Sequence, residues 1–411
     1  MSAVMNLVQT GGGMLPPPLS PESVYERTRP ADWLALPAPA DGEIYLLLHI
    51  PAGGSARCAF TVDCTGSYTV ALGGVGADGG FEQQSSESLA SGAAWEAELE
   101  GSDYGDETAE GMRQAVIKVS AQGISHWAPC GFGGASGPAN WDIAELRCAL
   151  PEGASLSCGA ANARLALCSL RYFSWEGAHS AASPAGMFRN CSSLLAVRGL
   201  DTEGAADLSY MFQNCASLLA IPAMDTSAAE NTGSMFMGCS ALPGVPALDL
   251  SAAEDVSSMF RGCYALLSAP GTGAPAAVSA QYMFADCRSL VSVGETDLSA
   301  AQNLSCLFQN CYALRAAGPL KIAAAGNVSS MFSQCHSLGA ALLDGTVTGW
   351  AGGALSFANC ALGHGAILGL IGSLPTVSGT AQLGLMGNPG AAELTEAEKA
   401  AAAAKGWEVV A

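Results

Sequence analysis

Charge is what this chain has least of. Charged residues are 13% of 411, about half the usual share, with 16 Lys and Arg against 36 Asp and Glu. A net charge of −20 argues against nucleic acid as a partner, because phosphate binding needs clustered Lys and Arg. An anionic membrane surface is disfavoured for the same reason. Apolar runs such as "IYLLL" are too short to cross a bilayer, so no membrane insertion is expected. The opening "MSAVMNLVQTGGGMLPPPLSP" has neither a basic n-region nor an apolar h-region. With no signal peptide read, export is expected by another route, such as cell lysis or a contractile machine, or not at all. Catalytic signatures are missing too: no HExxH, no GxSxG elbow and no P-loop. The five histidines, His49, His126, His179, His336 and His364, are scattered. The expectation is a protein that is not an enzyme and carries no cofactor or metal.

What the chain has in quantity is glycine, 50 residues, and hydrophobic side chains, 50%; at this length several units are expected. Residues 1–30 are Gly- and Pro-rich and read as an arm or linker. Residues 31–130 carry "EIYLLLHI", "CAFTVDC", "SYTVAL" and "QAVIKVSAQ", strand-like runs separated by turn residues, and predict a small β-sandwich. Residues 131–162, opening on "GFGGASGP", predict a hinge and a leading cap.

Residues 163–366 are periodic. Cys191, Cys215, Cys239, Cys263, Cys287, Cys311 and Cys335 recur every 24 residues without slippage. Phe188 to Phe332 and Leu194 to Leu338 keep the same spacing, and Met precedes each Phe except where Leu307 stands. Leu170 and Phe173 extend the columns upstream; Phe357 and Cys360 repeat the pair downstream after one inserted residue. A period of 24 lies within the leucine-rich range. One coil offers about five apolar side chains worth roughly 1.5–3 kcal/mol each, against about 1–2 kcal/mol for ordering each backbone residue. A single coil cannot stand, whereas a stacked array can. The "C-x-x-L-x-x-V/I" segment predicts the strand, and the "S-x-M-F" turn the opposite wall. Residues 367–411 predict a capping segment: a short helix before Pro375, a strand at "AQLGLMG", a helix opened by the capping box Thr395/Glu398 and closed near Gly406, and a last strand "WEVV". The predicted fold class is thus mixed β/α: a small β-sandwich, a leucine-rich-repeat solenoid and an α/β cap.

"MFRGCYALLSAP" and "MFQNCASLLAIPAMDTS" resemble the BspA-type leucine-rich repeats of bacterial surface proteins, over about residues 163–366. "AAELTEAEKAAAAAKGWEVV" resembles the segment that often closes such arrays. "RPADWLALP", "SYTVALGG" and "SDYGDETAEGMRQAVIKVSAQG" resemble the N-terminal β domain of phage and prophage tail-fibre-like proteins. Where that family has Trp-Gly-Asp-Gly after its "YTV" strand, this chain has "ALGGVGADGG". These resemblances imply recognition or adhesion: a tail- or virion-associated receptor-binding protein presenting the solenoid to a host surface, or alternatively a bacterial surface or secreted adhesin for host proteins. The implied partners are a host-surface protein or glycan, and a tail or baseplate protein through the N-terminal region. A homo-oligomer stays open.

The cysteine column could form disulfides, hold metal, or pack as small apolar residues. No CxxC or His pair has zinc spacing, parallel side chains do not face each other, and Phe and Leu surround them, so buried reduced thiols are expected. Cys58 and Cys64 are the pair to examine for a disulfide. "GVGADG" (74–79) matches G-x-G-x-x-G without opening a helix, and predicts a hairpin turn rather than a dinucleotide site. The acids between Glu96 and Glu110, including Asp103, Asp106 and Glu107, lack EF-hand spacing and predict a solvated loop. Asp201, Asp225, Asp249 and Asp297 predict turns in which the side chain bonds backbone two residues on. The column after each Cys reads Ser192, Ala216, Ser240, Tyr264, Arg288, Tyr312, His336, turning from small to aromatic or basic. With Arg315 and Arg261 nearby, these residues are favoured contact chemistry. They are the predicted binding stripe, for an anionic or sugar-bearing ligand.

Overall fold

The computed structural model describes residues 19–130, 142–159, 167–176, 184–269, 272–344, 354–377 and 379–411. The chain is mostly β. Among the described residues α-helix is confined to Pro21–Thr28 (α1), His364–Ser373 (α2) and Glu396–Ala403 (α3), so the expected mixed class overstates the helical share. Two compact units divide the chain.

The first unit is Leu19–Ala205 with Tyr210–Met224. Strands β1 (Glu43–Pro51), β2 (Ser55–Asp63) and β3 (Ser67–Val75) are the expected apolar runs. Strand β4 (Phe81–Ala90) escaped prediction because "FEQQSSESLA" exposes polar side chains on both faces; it is the outer strand of its sheet. After β5 (Ala94–Glu100) come β6 (Met112–Ala121), β7 (His126–Pro129), β8 (Ile143–Ala149), β9 (Ser155–Leu156), β10 (Tyr172–Trp175) and β11 (Ala196–Arg198). A seven-stranded sheet runs β11-β10-β8-β1-β6-β3-β4, and a four-stranded one β5-β2-β7-β9. In the larger sheet β1, β3, β4, β6 and β8 pair antiparallel, whereas β10 and β11 join in parallel. Residues from the stretch expected as sandwich, from the expected hinge and from the repeat region therefore share one sheet. The expected hinge, 131–162, contributes β8, an almost wholly buried strand beside β1; residues 131–141 and 160–162 lie outside the described residues.

Residues 1–18 of the expected arm lie outside the described residues, but 19–30 are packed. Ser20 caps α1, accepting from the Ser23 amide, and Val24 packs on Ala196 and Ala220. Glu145 of β8, buried, accepts from Arg29 Nε at 2.9 Å and from the Tyr25 hydroxyl at 2.8 Å. Arg29 also donates to the carbonyls of Trp33 and Leu34. A charge out of water is tolerated only with partners of this kind.

The second unit comprises Ala206–Ser209 and Asp225–Ala411. Its coils stack through two columns of parallel bridges. One runs on the strand side, from Gly244 to Ser268 and through β12 (Ser292–Val293) and β13 (Thr296–Asp297), both paired with β14 (Ala316–Lys321), to β15 (Ala340–Asp344). The other joins Asp207, Asn231, Asp255, Ser279, Asn303 and Asn327 in succession. The Phe rings stack at 5.4–5.5 Å from Phe236 to Phe332, within 18° of parallel, and Phe357 adds a last ring at 4.6 Å. Two left-handed residues bend each coil. The one before Met includes Ser258 (φ 57) and Tyr282 (φ 59); the one before Cys includes Gly262 (φ 76), Asp286 (φ 64) and Asn310 (φ 62). Gly, Asn and Asp suit the second position because they tolerate positive φ.

The unit ends on a parallel sheet of β16 (Ala354–Ser356), β17 (Ala381–Gly384) and β18 (Trp407–Val410). Thr395 and Glu398 form the capping box of α3, and Lys405 Nζ donates to the carbonyls of Ile371, Gly372 and Leu374 at the end of α2.

Candidate recognition face

The inner wall of a coil determines what the outer wall can show. In Met-Phe-x-x-Cys-x-x-Leu the Met, Phe, Cys and Leu are buried, whereas the residue after each Cys from Tyr264 to His336 is exposed. Every cysteine is a free thiol, and those of the column are buried. From Cys263 onward the thiols also donate to the phenylalanine carbonyl of the preceding coil: Cys263 to Phe236, Cys287 to Phe260, Cys311 to Phe284 and Cys335 to Phe308, all at 3.1 Å. That carbonyl already accepts the amide of its own coil's cysteine, as Phe260 does from Cys263 at 3.1 Å. The thiol thus meets a second lone pair that hydrocarbon would leave unsatisfied. Burial pushes the Cys263 thiol up to about 12 and raises Cys287 and Cys311 likewise, which keeps them protonated and unreactive.

Cys58 and Cys64 are both free. Strand β2 holds Cys58, and six residues at about 3.3 Å each put Cys64 beyond disulfide reach.

The aspartate column makes the predicted turns. Asp225, Asp249 and Asp297 accept from the amides of Ser227, Ser251 and Ser299 at 2.9–3.1 Å. A second such column, Asp207, Asn231, Asp255, Asn303 and Asn327, accepts at 2.8–3.1 Å from residues two further on. Its 24-residue spacing was visible in the sequence.

On the outer wall the predicted residues meet in order. Arg288 Cζ lies 4.4 Å from the Tyr264 ring centroid and 6.0 Å from that of Tyr312. The Tyr312 and His336 rings stack at 5.7 Å and 15°. Tyr264 is 44% and Tyr312 40% exposed, and Arg288 and His336 are exposed as well. Stacking of this kind occupies ring faces and leaves ring edges, phenol groups and N–H donors towards solvent. Beside the ladder Asn310 Nδ2 donates to Asp286 Oδ1 at 2.8 Å, and Gln334 bonds His336 Nε2 at 2.8 Å. Arg315 is exposed and joins no ring among the described residues. Arg261 lies over Tyr282 at 4.8 Å rather than over a ladder ring. The first unit repeats that pairing with Arg189 over Tyr210 at 4.7 Å. The spacing of 21 residues, absent from the predicted stripe, was its signal.

The remaining features form no second face of this kind. "GVGADG" ends β3 and turns through a hairpin in which Gly76 donates to the Gly80 carbonyl. A strand follows, so no helix N-terminus is present for phosphate. A cleft of about 440 Å³ in the first unit brings Gly73 and Gly74 against Asp103, Asp106 and Glu107. Among the described residues no three His, Cys, Asp or Glu side chains group closely enough to hold a metal ion. His49 is buried edge-on to Trp33 at 4.2 Å, and burial, with Arg171 nearby, lowers it to about 4. His126 bonds Ser155 and His364 meets Glu398, whereas His179 lies outside the described residues. No described helix is long and apolar enough to cross a membrane.

Residues 182–270 match the family described as Mycoplasma protein of unknown function, DUF285. No curated protein matches the chain. The match and the stacked coils fit a repeat protein of the BspA type. The comparisons do not support the tail-fibre-like reading of the N-terminal region.

Proposed function

We propose that the protein is a non-enzymatic recognition protein that presents the outer wall of its coils to a surface ligand. The observation that carries this reading is the ladder Tyr264–Arg288–Tyr312–His336, four exposed side chains from four consecutive coils held in contact with one another. Aromatic rings and arginine on a rigid support lose little freedom on binding and favour contact energy. Arg288 also interrupts an acidic surface, where it attracts rather than repels an anionic partner. His336 meets Gln334, not a carboxylate or a nucleophile, which suits contact chemistry better than proton transfer.

Two settings use such a face. A tail-associated receptor-binding protein rests on the resemblance of the N-terminal β region. A bacterial surface adhesin is favoured by the match of residues 182–270 to a bacterial family. Both require the ladder. Changing Tyr264, Arg288, Tyr312 and His336 together to Ser should abolish binding to host cells or glycans and leave the melting temperature unaltered. Undiminished binding by the folded variant would dispose of the reading.

A further inference from the structure

Cations in the second unit divide sharply by what holds them. Its lysines are Lys321, Lys399 and Lys405, and all three have partners within the chain. Lys321 pairs with Glu295 at 2.8 Å and Asp297 at 3.6 Å. Lys399 pairs with Glu396 at 2.9 Å, and Lys405 caps the three carbonyls already described. Its arginines are Arg261, Arg288 and Arg315. None of the three has a carboxylate within ion-pair distance among the described residues, although acids outnumber cations throughout the chain. Two are steadied by tyrosine rings instead, an arrangement that orients a guanidinium without neutralising it.

Their placement is as ordered as their pairing. The coils centred on Cys263, Cys287, Cys311 and Cys335 each supply one basic side chain, Arg261, Arg288, Arg315 and His336, between two residues before the cysteine and four after it. From Arg261 to Arg288 to Arg315 the basic position moves three residues along the coil at each step, while coils stack at about 4.8 Å. The basic groups therefore form a diagonal row across the stack, with the phenol groups of Tyr264 and Tyr312, the Gln334 side chain and the Asn310–Asp286 hydrogen bond beside them. The row consists mainly of donors. Arg288 lies over Tyr264 and Tyr312, and Tyr312 stacks on His336, so the rings are engaged with their neighbours and the donors are the chemistry the row offers a ligand.

We infer that the ligand of this face is an anionic polysaccharide, carrying carboxylate or sulfate groups, that lies diagonally across the stack with successive acidic groups on Arg261, Arg288 and Arg315. This rests on the recognition reading above and gives it a ligand class. Guanidinium groups form forked hydrogen bonds to carboxylate and sulfate oxygens. A regular row of them suits a regular polymer. The acidic remainder of the molecule repels polyanions elsewhere, which limits binding to the row.

The test uses the full chain with four probes: hyaluronate for carboxylate, heparin for sulfate, poly-glutamate for an acidic polypeptide, and dextran as the uncharged control. At least one anionic polysaccharide should bind, with affinity falling as salt rises from 50 to 300 mM, about a 2.5-fold shortening of the screening length, and dextran should not. Arg288→Gln should weaken binding about tenfold or more. The triple change R261Q/R288Q/R315Q should abolish it, while K321Q, which alters a committed cation, should leave it unchanged. Melting curves confirm that each variant is folded. Failure of both anionic polysaccharides to bind at low salt overturns the ligand class, as does equal binding by the triple variant. Equal binding of poly-glutamate through the same arginines would overturn it in favour of an acidic polypeptide. In any of these cases the Tyr264/Arg288/Tyr312/His336→Ser variant, assayed on host cells, decides separately whether the recognition reading stands.

Discussion

At the residue scale the cysteine column shows why one side-chain type recurs in a chain that makes no cross-link from it. A buried thiol fills the volume of a small apolar residue and donates weakly to a carbonyl of the neighbouring coil. Serine would carry a stronger dipole into an apolar stack, and alanine would leave the carbonyl short of a partner and open a void. Native protein should therefore leave the column thiols unreacted with a thiol reagent at pH 8, and they should react fully in denaturant. The thiol value in the fold lies above the ordinary one, so this stabilisation is complete below the ordinary cysteine value of about 8.5. It should fall as pH rises from there towards about 12, the value for Cys263, because the unfolded chain ionises first. Urea midpoints measured at pH 7.5 and pH 10 check the sign; a midpoint that does not fall would show that burial is not what holds these thiols neutral. Periodicity plus the surrounding Phe and Leu made the burial legible. The hydrogen bond to Phe was not, because it joins residues 27 apart in sequence through a turn whose geometry only the coil determines.

At the element scale a coil is held by its stacked ring. Phe260 has parallel neighbours at 5.4 and 5.5 Å and is fully buried. Phe260→Ala should cost about 3–5 kcal/mol, seen as a lower denaturant midpoint, whereas Phe260→Leu should cost less because it refills most of the space. Equal losses from both would argue against ring packing as the source. Elements were legible where an apolar run, a repeat or a capping box marked them, as in β1 to β3, the coils and α3. They were missed where burial came from elsewhere. Strand β4 has no apolar face to announce it, and β8 follows a Gly-rich stretch that reads as a hinge. Helix α1 is too short and polar to stand out, and it is held by the buried Glu145 contributed by β8.

At the scale of the whole molecule the repeat makes stability nearly a sum over coils and their interfaces. Removing residues 264–287, one full period, should leave a cooperatively unfolding β protein, because Arg288 then follows Cys263 in register. Removing residues 264–275 should abolish cooperative unfolding, because the Phe and Cys columns no longer align. Circular dichroism with urea titration compares the two deletions. If the half-period deletion also unfolds cooperatively, register is not what holds the array.

The 24-residue pattern by itself determined that coils stack, which side chains enter the spine and which line the outer wall, because an array that buries one stripe per coil admits one inside. It also identified the residues after each cysteine as surface chemistry. Only the tertiary structure decided which of those residues touch and which cations stay uncommitted. Arg288 reaches two tyrosines, Arg261 turns to Tyr282, and Lys321 is taken by Glu295 and Asp297. Such pairings depend on a few ångströms between neighbouring coils, a distance that spacing along the chain does not carry.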